Sequence, residues 1–391
     1  MASYADKKIM RADRKKMRDP RFAALYILVR LQQGRRTLDA ELDDFLSQEV
    51  RPQGRDLSLF YALTFGVLRW RRRLDWIIDH FSKTGLHKIE PVVLTVIRLG
   101  LFQILHLDRV PDSAAVNTSV EIAKQIAPSW TAGFVNGILR TAARQRHALP
   151  FPDPATDPAD ALSIEKSLPL WLAKRWIDRF GLEKMELIAD ALNRVPPITL
   201  RTNRLKTNRR HLMSQLKNVT QQVQKTSYSP DGIHIYRPNE VLSNTVPFRR
   251  GLCQVQDEAA QLISMVLAPE PGDSVLDACA GLGGKTGHIA QLMENRGAVV
   301  ALDHDQQKLR RLQQEMARLG VTNVTVRNHN LNERLPANLA SRFDKILLDA
   351  PCTGLGVLRR NPDTRWRDVA NHLHRFQKRQ IRFLENLAEH L

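Results

Sequence analysis

The chain has 391 residues, 26% of them charged and 43% hydrophobic, with a formal net charge of +18 and an isoelectric point near 10.2. That length predicts more than one domain, and a positive excess spread along the chain points to a polyanionic partner whose phosphates it would neutralise. Cys253, Cys279 and Cys352 form no C-x-x-C pair, no His pair has ligand spacing, no run reaches the roughly 18 apolar residues of a membrane span, and no signal-peptide core is present, so a metal-free cytoplasmic protein without a membrane partner is expected.

Residues 1–20 carry K-K-I-M-R-A-D-R-K-K-M-R and predict a solvated basic arm. From Arg21 to about residue 147 the periodicity is helical throughout. Leu74, Ile77, Ile78 and Phe81 make one apolar stripe; Leu94, Ile97, Leu101, Ile104 and Leu105 make another. Just before the first stripe Arg69, Arg71, Arg72 and Arg73 surround Trp70, a pattern that serves either RNA contact by pairing and stacking or a solvated helix face.

Residues 148–165 include the proline-rich F-P-D-P-A-T-D-P and predict a linker. A mixed α/β segment follows at 166–252, with a helix beginning in S-L-P-L-W-L-A-K-R-W and a strand in P-P-I-T-L-R-T-N. Arg201, Asn203, Arg249 and Arg250 are candidates to face RNA from it. In C-Q-V-Q-D-E-A-A-Q-L, Gln256 and Asp257 serve either a ligand pocket or the cap of the helix starting at Glu258, and the cap is the favoured reading.

The last segment, 253–391, alternates strand and helix from Ser274 onward, as in the first half of a doubly wound parallel sheet. Its centre is D-A-C-A-G-L-G-G-K-T (Asp277 to Thr286), a glycine loop between a short β-branched run and a helical pattern. A P-loop needs glycine where Cys279 stands, and a dinucleotide fingerprint needs its third glycine where Thr286 stands. Asp303 closes A-V-V-A-L-D about 20 residues on, where a ribose acceptor belongs. Leu309, Leu312, Met316 and Leu319 share one helical face and should pack on the sheet.

The strand I-L-L-D-A-P-C ends in Asp349 and Cys352, a carboxylate beside a thiol. Such a thiol, once deprotonated, is a nucleophile, and a neighbouring base can take up a proton. I-L-L-D is also what a nucleotide hydrolase uses to hold magnesium, but the failed glycine spacing argues against that class. A basic stretch around Arg359 and Arg360 then leads to a helix expected to turn Phe376, Ile381, Leu384 and Leu391 inward.

F-G-V-L-R, L-D-W-I-I, G-L-F-Q-I-L and F-V-N-G-I-L-R resemble the NusB-like domain at the front of the RsmB-type ribosomal RNA cytosine-C5 methyltransferases. The glycine loop and D-A-P-C-T-G-L-G-V-L-R-R-N-P-D resemble the same family's catalytic domain. The resemblance implies an all-α NusB-like RNA-binding bundle at 21–147, a small α/β RNA-recognition-like subdomain at 166–252, and an incomplete α/β Rossmann-like methyltransferase domain at 253–391. It implies S-adenosyl-L-methionine as cofactor, held by Cys279, Ala280, Gly281, Leu282, Gly283, Gly284, Lys285, Asp303, Asn330 and Asp349, and ribosomal RNA of the small subunit as partner. Arg359 and Arg360 join the candidate RNA contacts.

Three departures from the family pattern stand out. Gly281-Leu282 replaces its Ala-Pro, which should loosen the loop. Asn330 replaces an aspartate near the adenine amino group, leaving a carbonyl acceptor without charge. In the family the cysteine of the Pro-Cys pair assists product release and the nucleophile lies in T-C-S, whereas the cysteines here stand in L-C-Q, A-C-A and P-C-T. Cys352 is then a release residue or a substitute nucleophile. The chain reads as a piece of a full methyltransferase or as a homologue that binds RNA without completing catalysis.

Overall fold

The computed structural model describes residues 9, 14–34, 36–149, 151–336, 339 and 342–391. Most of the basic arm lies outside them. The chain divides into two compact units, one running to Val195 and taking back Gly354–Arg367, the other formed by Pro196–Thr353 and Asp368–Leu391.

The first unit is helical: α1 (Pro20–Gln32), α2 (Leu38–Leu46), α3 (Gly54–Phe81), α4 (Pro91–His106), α5 (Asp112–Ile126), α6 (Trp130–Gln145), α7 (Pro158–Glu165), α8 (Leu170–Phe180) and α9 (Leu182–Asn193). Every residue of α4 from Val92 to Ile104 is buried, so it is the central rod around which the amphipathic helices pack. Gly66 of α3 lets that rod come close, because a Cβ there would lie 2.0 Å from the Phe102 ring. Inside the bundle Arg98 grips Asp75 with two hydrogen bonds of 2.6 and 2.9 Å.

The expected linker contains a helix. Pro158 occupies the first turn of α7, where its missing N–H costs nothing, and the Asp157 carboxylate accepts from the Ala159 and Asp160 N–H groups. Leu162 and Leu168 then pack with Ala173, Met185 and Ala189 of α8 and α9, so this helical hairpin clusters with the first unit, up to Val195.

Gly354–Arg367 is the unexpected part of the helical unit. Arg365, 2% exposed, donates from Nη1 to the carbonyls of Arg69 (3.0 Å) and Ser167 (3.1 Å) and to Asn193 Oδ1 (2.9 Å), and from Nη2 to the Leu192 carbonyl (3.0 Å). Burial pushes its guanidinium down to about 9. Trp366 Nε1 donates to the Leu68 carbonyl at 2.6 Å, and Asn361 Nδ2 to Asp39 at 3.0 Å. The strap is stitched to α2, α3, α7 and α9 rather than solvated.

The second unit holds β1 (Ile198–Thr202), α10 (Arg209–Leu216), β2 (Thr220–Lys225), β3 (Gly232–Pro238), α11 (Val246–Arg249), β4 (Cys253–Val255), α12 (Glu258–Leu267), β5 (Ser274–Asp277), α13 (Gly284–Leu292), β6 (Ala298–Asp303), α14 (Gln306–Leu319), β7 (Val324–Asn328), β8 (Lys345–Leu347) and α15 (Leu373–Ala388). One sheet is antiparallel in the order β2-β3-β1-β4; the other is parallel in the order β7-β6-β5-β8.

The central parallel strands β5 and β6 place apolar residues on both faces, as helix-covered strands do, whereas edge strand β7 exposes Thr325 and Arg327. Val275, Val299 and Ala301 meet Ile289 of α13 and Leu309, Leu312, Met316 and Leu319 of α14. Leu276 and Leu302 face the opposite way, toward Phe343, Phe383 and Leu387. This is the doubly wound half-sheet expected from the strand order. The phase of α15 differs from expectation: Phe383 and Leu387 are buried, whereas Ile381, Leu384 and Leu391 are 48%, 59% and 66% exposed. The helix offers two stripes three and four residues apart, and the aromatic one took the sheet.

Arg365→Ala removes four hydrogen bonds made by a buried guanidinium and should cost about 3–5 kcal/mol, read from the urea midpoint. Arg365→Lys, which lacks the planar fork, should recover less than half of it. A wild-type midpoint in the alanine variant would dismiss the strap as a stabilising element.

Candidate functional site

The carboxyl ends of β5, β6 and β8 meet at the point where strand order reverses, the crevice in which open α/β sheets take ligands. The backbone after β5 continues the ladder on both sides: Ala278 N–H donates to the Leu347 carbonyl at 2.9 Å and Ala280 N–H to the Leu302 carbonyl at 2.8 Å. The chain then turns sharply, Gly283 N–H donating to the Ala280 carbonyl at 2.9 Å.

Gly281 and Gly283 sit at φ +56° and +82°, in the left-handed region that glycine enters without strain. Gly283 is also required sterically, since a Cβ there would lie 2.6 Å from Leu312 Cγ. Gly281 N–H donates to Asp303 Oδ2 at 3.0 Å, so the departure from Ala-Pro is accommodated by a left-handed turn pinned to the neighbouring strand.

Asp303, 8% exposed, also accepts from Asp305 N–H through Oδ1 at 2.8 Å, and His304 Nδ1 approaches that oxygen at 3.3 Å. A carboxylate offers about four acceptor directions, so its orientation is fixed while capacity remains for a pair of vicinal hydroxyls. Lys285 Nζ and Asp349 Oδ2 form an ion pair at 2.5 Å, Asp349 being mostly exposed. That pair presents both signs of charge at one rim of the crevice, matched to a zwitterion. The donor set fits a ligand with a ribose at one end and an amino acid at the other.

Asn330 is exposed, and its Oδ1 accepts from both Asn332 N (3.2 Å) and Asn332 Nδ2 (2.8 Å), so the acceptor expected for an adenine amino group is engaged locally. Cys279 is half-buried, its thiol pushed up to about 12 by burial and by Asp303, Asp277 and Asp349; Ala280 is buried and Leu282 half-exposed. Cys253 is buried and likewise raised to about 12, chiefly by burial. Cys352 is exposed, and the Pro351 carbonyl before it accepts from Gln380 Nε2 at 3.1 Å.

Several expected RNA contacts lie inside the protein. Arg201 is fully buried, donating to Gln256 Oε1 and, at 2.7 Å, to the Gly284 carbonyl. Asn203 is also buried, its Nδ2 donating at 2.7 Å to the carbonyls of Gly251 and Leu319. Both lie on or beside β1, a central strand covered on two faces, which leaves no solvated side for them.

In the helical unit Arg69 is 4% exposed and donates to the Arg359 carbonyl at 3.0 Å, and burial pushes it down to about 10. Arg72 bonds Asp160 at 2.8 Å, Arg73 lies 4.5 Å above the Phe151 ring, and Arg71 lies 5.5 Å from the Trp366 ring. Arg359 donates to the Arg194 carbonyl at 3.1 Å, and Arg360 is half-buried. These arginines fasten the bundle to its neighbouring segments. Asp257 takes the N-cap position of α12, but its side chain makes no capping bond; Gln256 serves Arg201 instead.

Sequence reasoning missed Asp277 and Thr286. Asp277 is 1% exposed and accepts from Thr286 Oγ1 at 2.7 Å beneath the glycine loop. Burial raises its carboxyl to about 6. The D-x-C-A…K-T spacing, strand end to first helical turn, was the available signal. Among the described residues no group of three or more His, Cys, Asp or Glu gathers as a metal site, and no helix is long and apolar enough to cross a membrane.

Three family profiles match in succession: the NusB family over residues 18–144, an RsmF/B-like methyltransferase ferredoxin-like domain over 168–242, and the 16S rRNA methyltransferase RsmB/F over 264–391. The chain is similar to a probable ribosomal RNA small subunit methyltransferase B of Bacillus subtilis, 34% identical over 367 residues covering 93% of this chain and 80% of that protein. A ribosomal RNA small subunit methyltransferase B of Citrobacter koseri is 35% identical over 353 residues, 88% of this chain and 78% of its own length. In three dimensions the chain resembles PH0851, with a TM-score of 0.76 at 22% identity over 97% of this chain and 83% of that one, a likeness of fold. A methyltransferase homologue from Pyrococcus horikoshii matches 60% of this chain and 73% of its own, at 31% identity and a TM-score of 0.52.

The folded Asp277 carboxyl holds its proton more tightly than the unfolded one, so its stabilising contribution is full below about pH 4 and is lost as pH rises through about 6. Asp277→Asn should therefore gain stability relative to wild type between pH 4 and pH 8 in denaturant melts. A difference that stays flat with pH would refute the buried ionisation.

Proposed function

The chain belongs to the RsmB/F family of ribosomal RNA methyltransferases, and from that premise we propose that it transfers a methyl group from S-adenosylmethionine to C5 of a cytosine in small-subunit ribosomal RNA. The observation that carries this reading is the crevice in which Asp303, the left-handed glycine turn and the Lys285–Asp349 pair converge at the strand reversal, with the exposed Cys352 three residues along the chain from Asp349.

When bound, S-adenosylmethionine supplies an electrophilic methyl group on its sulfonium sulfur. Asp303 would accept the ribose hydroxyls, and Lys285 and Asp349 would take the carboxylate and ammonium of the amino-acid end. The positive-φ glycines keep side chains away from the path of the cofactor. The remaining requirement is to make C5 of cytosine a nucleophile. A thiolate adds at C6, forming a C–S bond and moving an electron pair toward C5; a base later removes the C5 proton, and the returning pair expels the thiolate.

Of the three thiols, Cys253 and Cys279 are held protonated by their surroundings, which leaves Cys352 to meet the base. Its role is attack at C6 or assistance to release of the product.

Calorimetry should show S-adenosylmethionine binding that weakens at least tenfold in Asp303→Ala, since a charged acceptor to two hydroxyls is lost. Wild-type affinity in that variant would remove Asp303 from the cofactor site.

RNA containing 5-fluorocytidine cannot lose the C5 substituent and traps the C6 adduct. A denaturant-resistant protein–RNA adduct abolished in Cys352→Ser assigns attack to Cys352, and one that persists excludes Cys352 as the attacking thiol. Labelled methyl recovered on any nucleoside other than 5-methylcytidine would sink the proposal.

A further inference from the structure

Arg201 and Asn203 are buried and unavailable to RNA, whereas Arg249 and Arg250 are exposed, and another part of the same subdomain gathers exposed cations around a concavity. Arg209, Arg210, Met213, Ser214 and Lys217 of α10 and the residue after it, with Lys225 at the end of β2, line a concavity of about 470 Å³, Met213 at the boundary with the core that holds Leu212 and Leu216. Four of the six are cations and none is a carboxylate. Arg210, Lys217 and Lys225 are exposed, while Arg209 is oriented by a 3.1 Å hydrogen bond from Nη1 to the Ser229 carbonyl.

That hydrogen bond joins the concavity to the β2–β3 turn, where Tyr228 stands 77% exposed. The turn is braced from below: Glu258 Oε1 accepts from the N–H groups of Tyr228 (2.6 Å) and Ser229 (2.9 Å), so the nearby carboxylate is engaged by backbone donors. A large aromatic side chain held in solvent on a pinned turn, three residues from Lys225, is placed as a stacking platform. Met213 adds an apolar wall against which a ribose or base edge can rest.

We propose that α10, the end of β2 and the Tyr228 turn form a docking seat for single-stranded RNA, in which Arg209, Arg210, Lys217 and Lys225 pair with consecutive phosphates and Tyr228 stacks on a base. The proposal rests on the RNA methyltransferase reading and adds the surface by which RNA is gripped away from the cofactor crevice. Sequence-independent phosphate pairing with aromatic stacking fits an unpaired strand, whose bases are open to a ring, rather than a duplex.

The test uses the full chain and a short fluorescent oligouridylate, with a fully paired RNA hairpin as the second probe. Arg210→Glu/Lys217→Glu/Lys225→Glu should weaken oligouridylate binding roughly tenfold to hundredfold and lower the slope of log affinity against log salt by about 2, at about 0.7 per cation lost. The neutral triple variant with glutamine at the same positions guards against misfolding and should show the same change in slope. Tyr228→Ala should weaken the oligouridylate about tenfold while leaving the salt slope unchanged. Cofactor binding and the melting transition should stay as in wild type for all three. Wild-type RNA affinity and slope in the triple variants, or a seat that prefers the hairpin, would overturn the proposal. Loss of cofactor binding in the wild-type chain would instead strike at the methyltransferase reading and leave the seat standing.

Discussion

The guanidinium of Arg201 is the contact on which the second unit turns. It is fully buried on the central strand of the antiparallel sheet, yet it reaches the carbonyl of Gly284, the first residue of the helix that follows the glycine loop. Burial pushes its pKa down to about 9, with Asp231 opposing and Arg318 adding to the fall, so it remains a cation at neutral pH. A charge in such a place is sustained only by polar partners, here Gln256 and the loop backbone. The geometry of the glycine turn and the packing of the small sheet are thereby one problem with one solution.

Two neighbours enforce the same coupling. Asn203 spans from the Gly251 carbonyl to the Leu319 carbonyl at the end of α14. Arg318 donates to the carbonyls of Phe248 and Cys253 and to the Gln254 side chain while its guanidinium lies 4.0 Å above the Phe248 ring. Gly251, at φ +70°, permits this approach, because a Cβ there would sit 2.0 Å from the Arg318 carbonyl. Much of the chain's positive charge is therefore mortar between backbone segments. A net charge of +18 cannot be read directly as a count of phosphate contacts.

The same point explains which parts of the fold were legible in the sequence. The glycine turn, Asp303 and the packing face of α14 depend on local spacing, and local spacing is visible in one dimension. Arg69, Arg201 and Arg365 carry the residue type of a surface, and what buries them is a segment tens or hundreds of residues away. Ile381 and Leu384 were misplaced for a different reason: α15 has two apolar stripes, and only the shape of the sheet chooses between them. The proline-rich segment hid α7 because proline in a first helical turn looks, in sequence, the same as proline in a loop.

The strap bears on the order in which the protein is made. Contacts that join α3, the turn after α7 and α9 come from Arg365, a residue some 170 positions after the last of those helices ends. The bundle precedes Arg365 in the chain, and the antiparallel sheet, the glycine loop and the parallel strands are translated between them. Such long-range closure is slow to form and keeps the early helices dependent on late ones. The first part of the chain thus gains the Arg365 donors only after β1 to β8 have been translated.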